Sequence, residues 1–200
     1  MTGNAEGGVL LSGVDATFNT IGGSTAAQRN VISNNALRGV RIETGATNNT
    51  IAGNYIGTNP AGTALLANPK GVEVVSLSSA GNTIGGATTA PGTAPGNVIA
   101  NGIDVGSNAV LVQGNLVGLN AAGSARVGGG TITILPQANQ DTVGGSVASF
   151  RNIVAGVAVN GINALVQGNF ICTDISGSVG LGGTGVSSGG IPSSAALGGN

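Results

Sequence analysis

Residues 30–56 read NVISNNALRGVRIETGATNNTIAGNYI. Within this stretch, short apolar pulses recur with the period of two that belongs to a strand. GVRI opens at Gly39, NTIAG at Asn49 and NYI at Asn54, with an earlier NVI at Asn30. Each pulse is too short for a helix and is bounded by Asn or Gly, which favour tight bends. The stretch therefore reads as one turn of a chain that bends three times, with a short strand between bends.

The same turn recurs along the whole chain, and such periodicity is to be read before any local structure. Segments of the form glycine, apolar, any, apolar begin at Gly8, Gly39, Gly71, Gly102, Thr131 (with Thr in place of Gly), Gly156 and Gly185, at intervals of 31, 32, 31, 29, 25 and 29 residues. A second signal opens with Asn or Asp at Asn19, Asn49, Asn82, Asn108, Asp141 and Asn163. A third is Asn followed by two apolar residues, at Asn30, Asn54, Asn97, Asn115, Asn152 and Asn169. In alternate coils the extra residues fall between the second and third signals (STAAQR, ATTAPGTAPG, SVASFR) or after the third (TNPAGTALLANPK, LNAAGSARVGGG, TDISGSVGLGG). The true repeat is thus a double coil, with insertions confined to loops.

Three strands per turn, each stacked on its equivalent in the next turn, predict an all-β, right-handed parallel β-helix of six to seven coils forming a single domain over residues 1–200. The left-handed hexapeptide form would need about 18 residues per coil with no slack. Coils rising ~4.8 Å each give a rod about 30 Å long. The composition suits a thin core: Val and Ile together number 36 against 13 Leu, with three Phe, one Tyr and no Trp. Glycine reaches 39 of 200 residues without the every-third spacing of collagen.

Several functions are excluded by what the chain lacks. Six Lys and Arg against seven Asp and Glu, scattered along the sequence, make no basic footprint for nucleic acid. With no His and a single Cys, Cys172, zinc sites, haem ligation and serine or cysteine triads have no material. No apolar run is long enough to span a bilayer as a helix. The glycine-rich GGTG at Gly182 lacks the Asp of a calcium-binding repeat, so no cofactor or metal is expected.

The phrases NTIGG, RNVISNN, GNYIGT and NPAGT resemble those of bacterial right-handed parallel β-helix repeat proteins of the pectate-lyase-like superfold. The resemblance runs from Gly8 to about Gly185 and implies an extracellular or cell-surface setting. It is specific for fold and weak for activity, because this superfold carries lyases, glycosidases, adhesins and passive stalks alike.

Asparagines at one bend of successive coils can stack their amides, each giving and accepting hydrogen bonds along the rod. Such a structural ladder is expected for Asn19, Asn49, Asn82 and Asn163, all largely buried, and for Asn30, Asn54, Asn97, Asn115, Asn152 and Asn169. Asp141 would interrupt the first series, since an ionised carboxylate accepts but does not donate.

The sharpest chemical candidate is the outward column two residues after each initial glycine: Leu10, Arg41, Glu73, Asp104, Thr133, Ala158, Ser187. Arg41, Glu73 and Asp104 would be neighbours on successive coils, with Glu43 beside Arg41. Read functionally, Arg41, Glu73 and Asp104 resemble the acids and arginine of polysaccharide lyases and hydrolases, with Glu73 and Asp104 as weak calcium candidates. The plainer reading is an ion-pair ladder, favoured because no second Arg or Lys, no aromatic subsite and no elaborated loop is expected beside the column. A third reading, ice binding through Thr20, Thr50, Thr83 and Thr142, is weakened by the NAVLV segment that breaks the threonine rank. Tyr55, Phe170 and Phe18 are expected to pack the coils.

Incomplete terminal coils are expected at residues 1–7 and 185–200. MTGNAEG resembles VISNNALR, and AALGGN at the tail resembles AAQRN, so the third strand would begin where the tail ends. The head of one copy could then complete the last coil of another. The function expected is a non-catalytic structural or surface module that self-assembles head to tail, with a carbohydrate-binding or carbohydrate-active β-helix as the alternative and a cell-surface glycan as a second partner.

Overall fold

The computed structural model describes residues 3–189 and the strand Ala196–Gly198. It is a right-handed parallel β-helix with three sheets. The first sheet stacks Gly7–Ser12, Arg38–Glu43, Lys70–Val74, Ile103–Val105, Thr131–Ile134, Gly156–Val159 and Gly185–Ser188 in chain order. The second stacks Thr20–Gly22, Thr50–Ala52, Thr83–Gly85, Leu111–Gln113, Thr142–Gly144, Leu165–Gln167 and Ala196–Gly198. The third has Val31–Ile32, Tyr55–Ile56, Val98–Ile99, Leu116–Val117, Ile153–Val154 and Phe170–Ile171. Coils are numbered below by their strand in the first sheet.

The apolar pulses form these strands because alternate β-branched residues point into a narrow interior. Val40 stacks on Val72, Val72 on Ile103, Ile103 on Ile132 and Ile132 on Val157, and all five are fully buried. Ile51, Ile84, Val112, Val143 and Val166 form the matching file of the second sheet, with no exposed surface to about 1 %. Each such side chain contributes about 1.5–3 kcal/mol of burial. The third sheet is covered on its outer face as well. Tyr55, Val98, Leu116 and Ile153 point outward into a second apolar cluster that includes Leu119, with Phe170 and Leu181 packed against it.

The insertions behave as loops. Short 3₁₀ turns at Ala26–Gln28 and Ala148–Phe150 fill the gap between second and third strands in coils one and five. After the third strand in coils two, four and six, the chain folds back on itself through antiparallel bridges Thr58–Leu65, Leu119–Arg126 and Thr173–Gly180. These hairpins stack, Ala121 N–H donating to Gly62 O and Ile175 N–H to Gly123 O. Tyr55 and Phe170 each lie beneath a hairpin glycine, Gly62 and Gly177, and under an arginine of the preceding coil: Arg29 over Tyr55 at 4.0 Å and Arg151 over Phe170 at 3.9 Å. In coils three and four, Gly96 and Leu116 take the corresponding places, so the cation and the aromatic ring occur together or not at all. Phe18, in contrast, is 78 % exposed and packs no coil.

The third-strand asparagines form an unbroken ladder. In each of Asn30, Asn54, Asn97, Asn115 and Asn152, both the backbone N–H and Nδ2 donate to Oδ1 of the asparagine one coil below, at 2.9–3.2 Å, ending on Asn169. The second amide hydrogen goes to backbone carbonyls, as from Asn115 to Ile84 O and Gln113 O at 2.9 Å. Gly22, Gly85 and Gly144, each with φ near +90°, allow this: a Cβ there would sit on the next coil's carbonyl and asparagine side chain.

The other ladder is shorter than expected. Asn19 donates to Asn49, and Asn49 to Asn82, at 2.8–3.1 Å, but there the rungs stop. Backbone bonds from Leu111 to Asn82 O, Thr142 to Val110 O and Leu165 to Asp141 O put Val110, Asp141 and Ala164 in the column. Asn108 and Asn163 lie off it, because strand register is set by the apolar residues of NAVLV and NALV rather than by their leading asparagine. Asn163 is exposed and donates to Asn139, and Asn19 at the terminal coil is also exposed, against the expected burial of both. A further rung, Asn35 on Asn68, was not anticipated.

At the ends, residues 4–6 pair with 36–38 through Asn4 O and Glu6 O, matching the resemblance of MTGNAEG to VISNNALR. The tail differs from expectation. Ala196–Gly198 pairs with Leu165–Gln167 and so stands in the second sheet, in the place of Thr20–Gly22, and the rest of the AALGGN reading lies outside the described residues.

Replacing Asn115 by Ala removes the acceptor for Asn97 and the donor to Asn152, leaving buried polar groups unpaired at about 1–3 kcal/mol each. A loss of about 3 kcal/mol is expected in urea unfolding of the full chain, against about 1 kcal/mol for Asn59→Ala, whose lost hairpin bonds are exposed to water.

Candidate functional site

The outward column forms as its spacing implies. Leu10, Arg41, Glu73, Asp104, Thr133, Ala158 and Ser187 are successive register partners across the first sheet. Arg41, Glu73 and Asp104 are therefore brought together, and Thr133, Ala158 and Ser187 continue the column without charge.

What the spacing did not show is a second file of cations beside it. Arg38 and Lys70, the residues just before the initial glycines, are also register partners. Each reaches diagonally to the acid of the next coil: Arg38 Nε lies 2.7 Å from Glu73 Oε2, and Lys70 Nζ 2.5 Å from Asp104 Oδ2. The expectation that no second Arg or Lys flanks the column is thus corrected. The signal was present, since Arg38–Gly39 and Lys70–Gly71 are the same dipeptide type, but outward direction at that position depends on the strand beginning before its glycine.

Glu73 consequently serves two guanidinium groups, its Oε2 also lying 3.0 Å from Arg41 Nη1, while Arg41 Nε contacts Glu43. Burial works against the Arg41 cation, but the hydrogen bonds and charges of Glu43 and Glu73 outweigh it and hold its pKa above the ordinary value. The carboxylates of Glu73 and Asp104 each engage cations rather than opposing one another across a gap. Among the described residues no group of three or more His, Cys, Asp or Glu is placed to hold a metal ion. An open depression beside the column is lined by Lys70, Asn101, Asp104, Thr131 and Thr133.

The threonine rank is interrupted once, at Leu111, and ends at Leu165. Leu111 and Leu165 stand in register between or beside Thr83 and Thr142, so Thr20, Thr50 and Thr83 form the longest run. Cys172 is a turn residue with φ +65°, its thiol 3.2 Å from Ala155 O.

The second region with chemistry of its own is the N-terminal face of the rod. The inward residues of its coil, Val9, Leu11 and Ile21, are only partly buried, though their equivalents below are covered. Because every rung donates toward the next coil, Asn19 and Asn30 spend their amide hydrogens downward on Asn49 and Asn54. Among the described residues nothing donates to the Oδ1 of either. At the other face, Phe170–Ile171 is the last strand of the third sheet among the described residues.

The chain matches no family model, no curated protein and no solved structure.

The ion pairs are partly solvated, with side chains of Arg38, Arg41, Glu43 and Glu73 between 13 % and 26 % exposed. Glu73→Gln breaks two pairs and should cost about 1–2 kcal/mol at low ionic strength. Thermal or urea unfolding in 0.05 and 0.5 M salt checks this, the difference from wild type shrinking at the higher concentration.

Proposed function

We propose that this chain is a non-catalytic, extracellular structural module: a stiff rod that lengthens head to tail when the last coil of one copy seats on the first coil of another. The observation that carries this reading is the N-terminal face. It offers the acceptors Asn19 Oδ1 and Asn30 Oδ1, the half-covered apolar residues Val9, Leu11 and Ile21, and three strand edges. In the coils below, the third-sheet asparagines are met by an asparagine of the coil before at every level, and the second-sheet ones at Asn49 and Asn82, so a further coil of the same type is a surface that fits them. Parallel strand addition would satisfy the edges that a solenoid otherwise leaves open.

An extracellular or surface location follows from the resemblance to secreted β-helix repeat proteins of the pectate-lyase-like type, carried by NTIGG, RNVISNN and NPAGT. The engagement of Glu73 and Asp104 by Arg38, Arg41 and Lys70 supports a structural role for the charged column over a carbohydrate-active one.

Sedimentation velocity and negative-stain electron microscopy of the purified chain test the reading. Filaments one coil wide that grow with protein concentration are expected, and Ile21→Lys, which puts a charge on the N-terminal face, should return the material to monomers. A wild-type chain that stays monomeric up to millimolar concentration would sink the proposal.

A further inference from the structure

Aspartate twice stands in a column that carries asparagine in earlier coils, and the two places differ in what they ask of the side chain. In the hairpins, Asn59 and Asn120 use Oδ1 to accept backbone N–H bonds from residues four and five ahead. Asp174 holds that position in coil six and accepts from Val179 N–H and the Ser176 hydroxyl. Only acceptors are needed there, and the Ser176 hydrogen bond, with the backbone N–H groups, lowers the Asp174 pKa.

The second-strand ladder asks for both halves of the amide. Asn49 Oδ1 and Asn82 Oδ1 accept from the coil above, while Asn49 Nδ2 donates to Ala16 O and Asn82 Nδ2 to Ala46 O and Ser79 O. Asp141 fills this column in coil five and is 1 % exposed. Its Oδ1 takes the accepting role, receiving Val110 N–H at 2.8 Å. Its Oδ2 stands where the donor should be and has no partner. Ala16 and Ala46, which accept from Asn49 and Asn82, lie three residues before the column residue of the coil above, and the equivalent residue above Asp141 is Ser107.

The surroundings supply no compensating charge. Leu111–Gln113 above, Leu165–Gln167 below, and the bends at 106–110, 135–140 and 160–164 carry no ionisable side chain. Across the core, Asp104 is on a facing strand but points outward to Lys70. Two further buried atoms without partners, Ser107 Oγ and Asn108 Oδ1, belong to the bend just above Asp141, and Ser107 Oγ does not reach Oδ2.

We propose that the seam between the fourth and fifth coils is a proton-controlled weak point of the rod: a proton on Asp141 Oδ2 supplies the donor that asparagine supplies in the rungs above, and its loss leaves a buried charge facing acceptors. This does not depend on whether copies stack. Burial raises the Asp141 pKa to about 7 against the opposing effect of the Val110 hydrogen bond, whereas an unfolded aspartate titrates near ~4. Between those values the folded chain holds a proton that the unfolded chain has released, so stability falls as pH rises and levels off above neutrality.

Urea unfolding of the full chain and of Asp141→Asn from pH 5 to 8.5 tests this, together with a ¹³C NMR titration of the Asp141 carboxyl in the wild type. The wild-type urea midpoint should decline across the range, the Asn variant should vary little and unfold at higher urea than wild type at pH 8, and the carboxyl should titrate near neutrality. Parallel pH profiles for the two chains would overturn the proposal. So would a carboxyl that titrates near pH 4, whatever the unfolding curves show.

Discussion

A primary amide carries a donor and an acceptor on one planar group, and this makes asparagine able to hydrogen-bond to a copy of itself indefinitely. The whole rod hangs on that property. At the bend before each third-sheet strand, the chain turns sharply and its backbone N–H faces along the axis, with no strand partner in its own coil. Oδ1 of the asparagine below takes that N–H and the side-chain amide hydrogen together, from Asn30 down to Asn169. A corner that would otherwise bury unpaired polar groups is thereby closed at every level. Serine or threonine could not do this, and aspartate does half of it.

Once the corners are held in register, the remaining features follow from stacking like on like. Val and Ile file over Val and Ile, and their short branched side chains fill a cross-section too narrow for rings; Tyr55 and Phe170 are turned outward, under hairpins and arginines. Charge becomes awkward, because a charged position repeats at close range on the next coil. The one charged patch, on coils two to four, resolves this by offset: cations from one file reach diagonally to acids of the next coil. Glycine has a comparably specific duty at Gly22, Gly85 and Gly144, where the chain passes directly over the rung beneath.

Much of this was legible in the residues. The seven outward positions from Leu10 to Ser187 align as the glycine spacing implied, and all six third-strand asparagines fall in one ladder, because each is tied to a fixed local phrase. Where reading failed, the phrase and the register had come apart. Asn108 and Asn163 begin segments that look like NTIGG, yet the apolar residues after them set the strand one or two places later. The rung of Asn35 on Asn68 escaped notice because Asn35 lies four residues before its glycine and Asn68 three. Arg38 and Lys70 were overlooked because a strand's first residue is not marked by hydrophobic alternation. The tail was misaligned for a related reason: AALGGN carries too few apolar residues to distinguish a second strand from the approach to a third.

The pairing of arginine with an aromatic ring has a consequence for how such a rod can change length. Arg29 and Tyr55 belong to adjacent coils, as do Arg151 and Phe170, while Gly96 and Leu116 match each other in the middle. Each two-coil block thus keeps its cation and ring to itself, and meets its neighbours through asparagine rungs, aliphatic files, the stacked hairpins and, between coils two and three, the ion pairs of Glu73. A cut between blocks leaves each cation–ring pair intact, whereas a cut within a block parts Arg29 from Tyr55 or Arg151 from Phe170. A change of length that keeps every such pair whole therefore comes in steps of two coils, about 10 Å.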